Sequence, residues 1–175
     1  YKLFPGLEDK STAPFPSELV PKTNEERIQN IPAVLNKYKG KKFVVSYKLD
    51  GSSITIINNK GKYRICSRNQ ELLKEDNEWH KTFKNTMFHI HIDKLVRFFK
   101  SDNVIVQGEM IGKPNGNHHN LDTNEIRLFN IILDGKRMNQ AEFVDTCTNF
   151  SIPHCPVYKI MNLNHSMEDI LMISE

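Results

Sequence analysis

Short runs of apolar residues, each ended by turn residues, dominate the first half of the chain. The runs at 43–47, 53–57 and 62–67 are rich in β-branched and aromatic residues, which is the composition of strands. Asn58-Asn59-Lys60-Gly61 separates the last two runs and supplies the Asn and Gly that a tight hairpin needs. The pattern therefore predicts an antiparallel meander of these strands, with Asp50-Gly51 in its first turn.

A helical period follows over residues 77–100. Apolar residues recur there at intervals that place them on one side of a helix: Trp79, Phe83, Met87, Ile90, Leu95, Val96 and Phe99. The register breaks near residues 89–92, so two helices fit the pattern as well as one. Later runs predict strands at 104–111, 126–133 and 156–161 and helices at 139–148 and from Ser166 onward. Antiparallel strands with interspersed helices predict an α+β fold.

The beginning of the chain is rich in residues that disfavour regular structure. These residues predict an extended lead-in or linker over residues 1–21, followed by one domain over 22–175: Pro5, Gly6, Pro14, Pro16 and Pro21. Thr23 and Glu26 have the spacing of a capping box and predict a short helix there. Pro32 then interrupts the pattern or begins a further turn of helix that reaches about Tyr38. Because residue 1 is Tyr and not Met, we expect a processed or excised piece.

Composition narrows the class of protein. A chain of 175 residues with 38% apolar residues can bury a core, and no apolar run is long enough to span a membrane. The cysteines, Cys66, Cys147 and Cys155, lack metal-type spacing and predict a reduced, intracellular protein. The histidines lack a paired-ligand frame and do not favour structural zinc. The net charge of +3 permits a polyanionic partner without requiring one.

Two charged residues adjoin apolar runs. Lys48 ends one run two residues before Asp50-Gly51, and Glu109 interrupts the run at 104–111 directly after Gly108. A lysine beside a hairpin turn is as often a solvated surface residue as a functional one. A lone carboxylate in a strand usually lies on the wet face. Taken singly, neither residue decides between the structural and the functional interpretation.

The order of several short motifs is more specific. They are Lys48-Leu49-Asp50-Gly51, then Ser67-Arg68-Asn69, then Gln107-Gly108-Glu109, with Phe129 in a strand shortly after. This series resembles the covalent nucleotidyltransferases, the superfamily of DNA ligases, RNA ligases and messenger-RNA capping enzymes. The segments 15–30, 65–69 and 126–131 further resemble the ATP-dependent RNA ligases of the nick-sealing type, which carry a separate amino-terminal OB-fold module. The similarity runs from about residue 14 to the end of the chain.

The resemblance implies an antiparallel-sheet adenylation domain with an ATP-grasp-like fold. In such ligases a lysine attacks the α-phosphate of ATP to form lysyl-AMP, the AMP passes to an RNA 5′-phosphate, and a 3′-hydroxyl displaces it. The attacking amine must be neutral, which nearby cations, a metal or desolvation achieve. The implied cofactors are ATP and Mg²⁺, with Mn²⁺ as a substitute. The implied partners are RNA ends or a nicked duplex, as in RNA repair, with an OB-fold domain in the intact protein and no membrane.

The resemblance also assigns roles to residues. Lys48 would be the nucleophile, Glu109 would serve the metal and the ribose, and Arg68 would serve the sugar and phosphate. Phe129 would stack on adenine, with core packing as the alternative. The other expected nucleotide-binding residues adjoin the lysine: Tyr47, Leu49, Asp50 and Gly51. The last two would shape the turn that aims the lysine.

Two features depart from the family pattern. Many relatives have a Glu immediately before the lysine, where it helps to recognise adenine, whereas this chain has Tyr47. Base recognition would then depend on the Tyr47 backbone, another side chain or the lead-in. The later Glu-Gly-x-Val and Lys-x-Lys strands of the superfamily do not follow Phe129. We therefore expect a chain truncated at its carboxyl end just before those strands, with slow or absent self-adenylation.

The residues leave two alternatives open. One is another enzyme of the same superfamily, a DNA ligase or a GTP-using capping guanylyltransferase. The other is a catalytically inactive module that keeps the fold and binds a nucleotide or RNA.

Overall fold

The computed structural model describes residues 10–113 and 116–174 and consists mainly of antiparallel strands. The strands are β1 (Thr12–Pro14), β2 (Lys42–Ser46), β3 (Ser52–Asn59), β4 (Lys62–Cys66), β5 (Gln70–Leu72), β6 (Asn103–Ile111), β7 (Glu125–Leu133), β8 (Lys136–Arg137) and β9 (Val157–Asn162). The helices are α1 (Ala33–Lys37), α2 (Glu78–Asn85), α3 (His89–Phe99), α4 (Gln140–Phe150) and α5 (Met167–Ser174), with a short 3₁₀ turn at Ile28–Asn30. The predicted α+β fold is confirmed.

The strands form two sheets. The larger sheet has seven strands in the order β1-β5-β4-β3-β6-β7-β8, and β2 pairs with β9 in a separate two-stranded sheet. The predicted three-strand meander is therefore wrong in its first strand, although the hairpin of β3 and β4 forms as expected. β3 is already paired with β4 on one edge and with β6 on the other, so it has no edge free for β2. Residues 47–51 instead carry the chain from the small sheet to the large one.

Helices cover one face of the large sheet. Side chains alternate between the two faces of a strand, and the face that carries Ile54 and Ile56 packs against α2, α3 and α4. The helical side of this core consists of apolar residues that are almost fully buried: Phe83, Phe88, Ile92, Leu95, Phe143 and Cys147. Burying side chains of this size stabilises the domain by about 1.5–3 kcal/mol each.

The opposite face of the large sheet is covered at one end by the lead-in. Phe15 and Val20 are buried there against Ile57 and Ile132 in a second apolar cluster. β1 pairs antiparallel with β5, so residues 12–14 are built into the sheet, and residues 17–20 form a turn in which the Leu19 and Val20 N–H groups donate to the Pro16 carbonyl. The division of the chain into a lead-in over 1–21 and a domain over 22–175 stays a prediction, and residues 1–9 lie outside the described part.

The two helical predictions differ in outcome. The capping-box helix is wrong, because residues 21–27 form no helix and the Thr23 hydroxyl lies 2.8 Å from the Ser53 hydroxyl instead of capping a turn. The break in the later pattern is confirmed as two helices, α2 and α3, separated at Met87, whose φ is +51°. The break rotates the helical register, so Met87 and Ile90 are exposed and Phe88 takes the buried position.

The remaining elements follow the sequence pattern closely. β6, β7, β9 and α4 form within a few residues of their predicted bounds, and Ser166 precedes α5 and bonds with Asp169 in both directions. Within the described residues, no helix is long and apolar enough to cross a membrane.

Candidate active site

A cleft of about 1040 Å³ opens on the face of the large sheet that the helices leave uncovered. Its lining brings together most of the residues predicted for the site: Tyr47, Lys48, Leu49, Gly51, Arg68, Glu109 and Phe129. These residues come from the 47–51 connection, the β4–β5 turn, β6 and β7, which are far apart in sequence. A volume of this size is at the upper end of the range for small-molecule sites.

Lys48 lies in the connection between the two sheets, and its side chain is exposed along the cleft. The backbone around it is held on one side by the Tyr47 N–H, which donates to the Pro156 carbonyl at 2.9 Å. Lys48 is close enough to Glu109 for its charge to lower the pKa of that carboxyl. The Lys48 side chain is therefore open to solvent and to any ligand that enters the cleft.

Glu109 projects from the centre of the sheet toward the lysine. It lies on β6, opposite Ser53 on β3 and Arg127 on β7. Burial raises the pKa of the Glu109 carboxyl, and the Lys48 charge and a hydrogen bond from the Gly51 backbone N–H partly offset that rise. The alternative of a carboxylate on the wet face does not apply, because Glu109 is partly buried within the cleft.

Gly51 fits the site through close approach and not through a turn. A Cβ at this position would lie 2.4 Å from the Met110 carbonyl oxygen and 3.0 Å from the Glu109 side chain. Its φ is outside the left-handed region that favours glycine. The predicted Asp-Gly hairpin turn is wrong, because β2 pairs with β9 and not with β3. Glycine is needed here because the chain after Lys48 passes directly over β6.

Asp50 stands apart from the cleft lining. Its carboxylate is 79% exposed and lies 4.0 Å from Nε2 of His118. Its backbone carbonyl lies 3.2 Å from Nε2 of His119, and a carbonyl can only accept, so this nitrogen carries the hydrogen. The loop before β7 thus holds the segment that follows the lysine.

Phe129 lines the cleft at a bulge of β7. Gln107 pairs with Asn130 and the next residue, Gly108, pairs with Leu128, so Phe129 is the extra residue of β7. A bulge of this kind redirects the side chain that it carries. A Cβ at Gly108 would lie 2.5 Å from the Arg127 carbonyl oxygen, so the glycine permits the close approach of the two strands.

Arg68 lines the cleft and contacts the segment over residues 22–25, which directly follows the lead-in. Its guanidinium donates to Asn24 at 2.8 Å, and the neighbouring Asn69 accepts from the Lys22 ammonium at 3.3 Å. Thr23 and Glu25 of this segment line the cleft. The sequence pointed to this segment only in general terms, as one of three sources of base recognition.

Several lining residues were not among the predicted site residues, and two of them carry polar groups from the end of the sheet and the start of α4. Arg137 and Gln140 line the cleft beside Phe129, although the sequence indicated only a polar turn before a helix at this point. β8 pairs Arg137 opposite Ile132, which places both on the same face of the sheet. No local pattern could have revealed this, because a two-residue strand has no detectable period.

The described residues contain no group of three or more His, Cys, Asp or Glu that could hold a metal ion by themselves. Mg²⁺ does not need such a group, since it is often bound by one or two carboxylates together with substrate phosphates. Glu109, a carboxylate inside an open cleft, fits that arrangement. The cysteines do not, because burial raises the pKa of the Cys66 thiol to about 12 and that of Cys155 to about 11.

Comparison with known proteins gives consistent results. A sequence model of the family described as RNA ligase matches residues 41–175, well over half of the chain. Among solved structures, a Naegleria gruberi RNA ligase variant with ATP and Mn is 30% identical, with a TM-score of 0.77, and the match covers 91% of this chain and 48% of that chain. Naegleria gruberi RNA ligase with PPi is 28% identical, with a TM-score of 0.79, and the match covers 98% of this chain and 52% of that chain.

A further Naegleria gruberi RNA ligase variant, with AMP and Mn, is 29% identical, with a TM-score of 0.78 and the same coverage as the first. This chain thus spans about half the length of the solved proteins that it matches. No curated protein matches it.

Proposed function

Because the chain belongs to the RNA ligase family, we propose that it is the adenylation domain of an ATP-dependent RNA ligase in which Lys48 accepts AMP from ATP. The observation that supports this most directly is the convergence of Lys48, Glu109 and Phe129 on one cleft from three separate elements. An amine, a carboxylate and an aromatic ring are the groups that nucleotidyl transfer to a lysine requires. Neither a surface lysine nor a core phenylalanine needs such a convergence.

The proposed first step joins the amine to the nucleotide. The neutral Nζ of Lys48 forms a bond to the α-phosphorus while the bond from phosphorus to the pyrophosphate oxygen breaks, and the amine loses a proton to water. In the second step an oxygen of an RNA 5′-phosphate forms a bond to the same phosphorus, and the bond to Nζ breaks. A 3′-hydroxyl oxygen then attacks the 5′-phosphate and releases AMP.

Glu109 is proposed to hold Mg²⁺ or Mn²⁺ and to contact the ribose. A divalent ion bound there would neutralise charge on the phosphate oxygens during transfer. The N–H of Gly51 keeps the carboxylate directed into the cleft, and Lys48 lies close enough to interact with its charge. The relatives with ATP and Mn and with AMP and Mn support this use of a nucleotide and a metal.

The remaining roles follow from position. Arg68 at one end of the cleft is proposed to contact the sugar and phosphate, and Phe129 is proposed to stack on adenine. Tyr47 and Leu49 flank the lysine and would offer backbone groups to the nucleotide. Asp50, outside the lining, is proposed to act through the shape of the segment that it shares with Gly51.

We also propose RNA 5′-phosphate and 3′-hydroxyl ends, or a nicked duplex, as the partners of this site, because the matching family is described as RNA ligase. A separate OB-fold domain in the intact protein and an intracellular location remain part of the proposal.

Incubation with α-labelled ATP and Mg²⁺, followed by mapping of the labelled residue, tests the proposal. We expect label on Lys48 that pyrophosphate removes, and slow labelling, because the later Lys-x-Lys motif of the superfamily does not follow Phe129. Competition with GTP separates the ligase from a capping enzyme, and sealing of nicks with RNA or DNA at the 3′-hydroxyl side separates RNA from DNA ligation. The absence of covalent label from this chain and from the intact protein alike, with nucleotide still bound, would favour the inactive binding module.

A further inference from the structure

Three side-chain amides form a line of hydrogen bonds at the cleft, and two of them, Asn130 and Gln140, belong to its lining. Gln107 Nε2 donates to the Pro21 carbonyl at 2.9 Å, and Asn130 Nδ2 donates to Gln107 Oε1 at 3.0 Å. Gln140 Nε2 donates to the Phe129 carbonyl at 3.1 Å and lies 3.5 Å from Asn130 Oδ1. Donation therefore runs in one direction, from α4 through β7 and β6 to the lead-in.

Burial fixes the orientation of these amides. Gln107 is 2% exposed and Asn130 is 3% exposed, and a buried polar group without a partner costs about 1–3 kcal/mol. Turning either amide over would set donor against donor and acceptor against acceptor along the line. The line therefore has one stable arrangement, in which Gln140 presents its NH₂ group to β7.

The end of this line meets the bulge that directs Phe129. The extra residue of a bulge is left out of the regular ladder of the strand pair, and here its carbonyl accepts the Gln140 amide. Gln140 is the first residue of α4, a helix anchored in the core through Phe143 and Cys147. The backbone on which the Phe129 ring is mounted is thus tied to a fixed helix.

We infer that Gln140, supported by Asn130 and Gln107, is a positioning residue that holds the Phe129 ring at the angle needed to stack on the purine base of the nucleotide. The inference rests on the proposed function, because it assumes that Phe129 receives the base. It assigns the amide line to the base end of the cleft, apart from the lysine and the carboxylate that serve the phosphate end. Loss of the line should weaken binding of the base and spare binding of the phosphates.

The test compares two ligands on the protein with Gln140→Glu. Glutamate has the same length but, when ionised, cannot donate to the Phe129 carbonyl. We expect the dissociation constant of AMP to rise about tenfold, as for the loss of one hydrogen bond that positions a stacking ring. The dissociation constant of magnesium pyrophosphate should change by less than about twofold. Titration calorimetry measures both.

Two further variants serve as controls. Gln140→Met removes the donor without adding a charge and should show the same selective loss for AMP. Gln29→Glu makes the same chemical change at an exposed position outside the cleft and should leave both ligands unaffected.

The outcomes are distinct. Unchanged AMP binding in both Gln140 variants, or an equal loss of AMP and pyrophosphate binding, would overturn the inference, since a merely structural role would weaken both ligands alike. If the wild-type protein binds AMP but never forms lysyl-AMP, the proposed catalysis fails and the inference is still judged by the two dissociation constants. A wild-type protein that binds neither ligand overturns both.

Discussion

The two walls of the cleft are built differently. The wall that carries Lys48 is an irregular connection of five residues between two sheets, exposed along the cleft and held by the Tyr47 and Asp50 backbone contacts. The wall that carries Glu109 and Phe129 is formed by β6 and β7, two long paired strands of the seven-stranded sheet. The residues that alternate with the cleft residues in that sheet, Met110 and Leu128, are fully buried.

This contrast separates two requirements of the chemistry. A nucleotide is recognised best by groups that do not move, and central strands over a packed core provide them. A nucleophile that forms and then loses a covalent bond to phosphorus must follow the reacting group, which a short irregular segment allows. Gly51 couples the walls, because it brings the reactive segment into direct contact with β6.

The largest effect should come from removing the side chain of Lys48, the proposed nucleophile. Lys48→Ala should abolish lysyl-AMP formation and leave the thermal midpoint unchanged, because the side chain is exposed. Transfer of α-label from ATP to the protein measures this. Lys62→Ala, at an exposed position on β4 away from the cleft, is the matched control and should label normally. Normal labelling of the Lys48 variant at another residue would refute the assignment.

Removing the carboxylate of Glu109 should lower the rate of lysyl-AMP formation but raise the stability of the domain. Glu109→Gln should slow lysyl-AMP formation about 100-fold, because the divalent ion loses its carboxylate. Burial raises the pKa of Glu109 in the folded protein, so its contribution to stability is fully present below its ordinary value of 4.5 and is lost as the pH rises through the folded value. Gln carries no charge at any pH and escapes that loss.

The variant should therefore melt at a higher temperature than the wild type at pH 8, and the difference should shrink toward pH 4. Thermal unfolding followed by circular dichroism across this range checks the sign. A variant that is slower and also less stable at every pH would indicate a structural carboxylate.

Replacing the aromatic ring of Phe129 by an aliphatic side chain should have a smaller effect. Phe129→Leu should raise the ATP concentration for half-maximal labelling about tenfold, since stacking on an aromatic ring is worth roughly 1–3 kcal/mol per base. The maximal rate should change little, because Lys48 and Glu109 are untouched. Phe98→Leu, at an exposed position on α3, is the control. If only the maximal rate fell, core packing would be the better account of Phe129.

The smallest effect should come from removing a hydrogen bond that holds the irregular connection over residues 47–51. His119→Ala removes the hydrogen bond to the Asp50 carbonyl and should slow labelling about two- to threefold, as for a net hydrogen bond of about 0.5 kcal/mol. Rate measurements at saturating ATP would show it. A loss as large as that of the Lys48 variant would mean that the segment needs external support to be competent at all.

The sequence predicted β6 and β7, which carry Glu109 and Phe129, better than β2 and the connection that carries Lys48. β6 and β7 are long apolar runs, so their period and therefore their existence could be inferred, and Gly108 before Glu109 already pointed to the site. The pairing of β2 could not be inferred, because its partner β9 lies more than 100 residues later. Local patterns carry no information about which of two edges a strand will join.

Other features of the site arise only from tertiary structure. The Phe129 bulge adds one residue to a regular strand pattern and leaves its alternation intact as far as the sequence shows. Thr23 matched a capping box, but its hydroxyl bonds to Ser53 once the lead-in folds onto the sheet. The Asp50-Gly51 pair matched a turn, yet the glycine serves a close contact with β6.

The short strand β1 has a practical consequence for handling this domain. It covers the outer edge of β5, and the residues that follow it, Phe15 and Val20, close the second apolar cluster. A domain boundary placed at residue 22 would leave the backbone donors and acceptors on the outer edge of β5 unpaired. It would also expose Ile57 and Ile132 to solvent. Uncovered strand edges beside apolar surface promote self-association. We therefore expect preparations that begin at residue 22 to aggregate, and those that retain residues 10–21 to stay monodisperse.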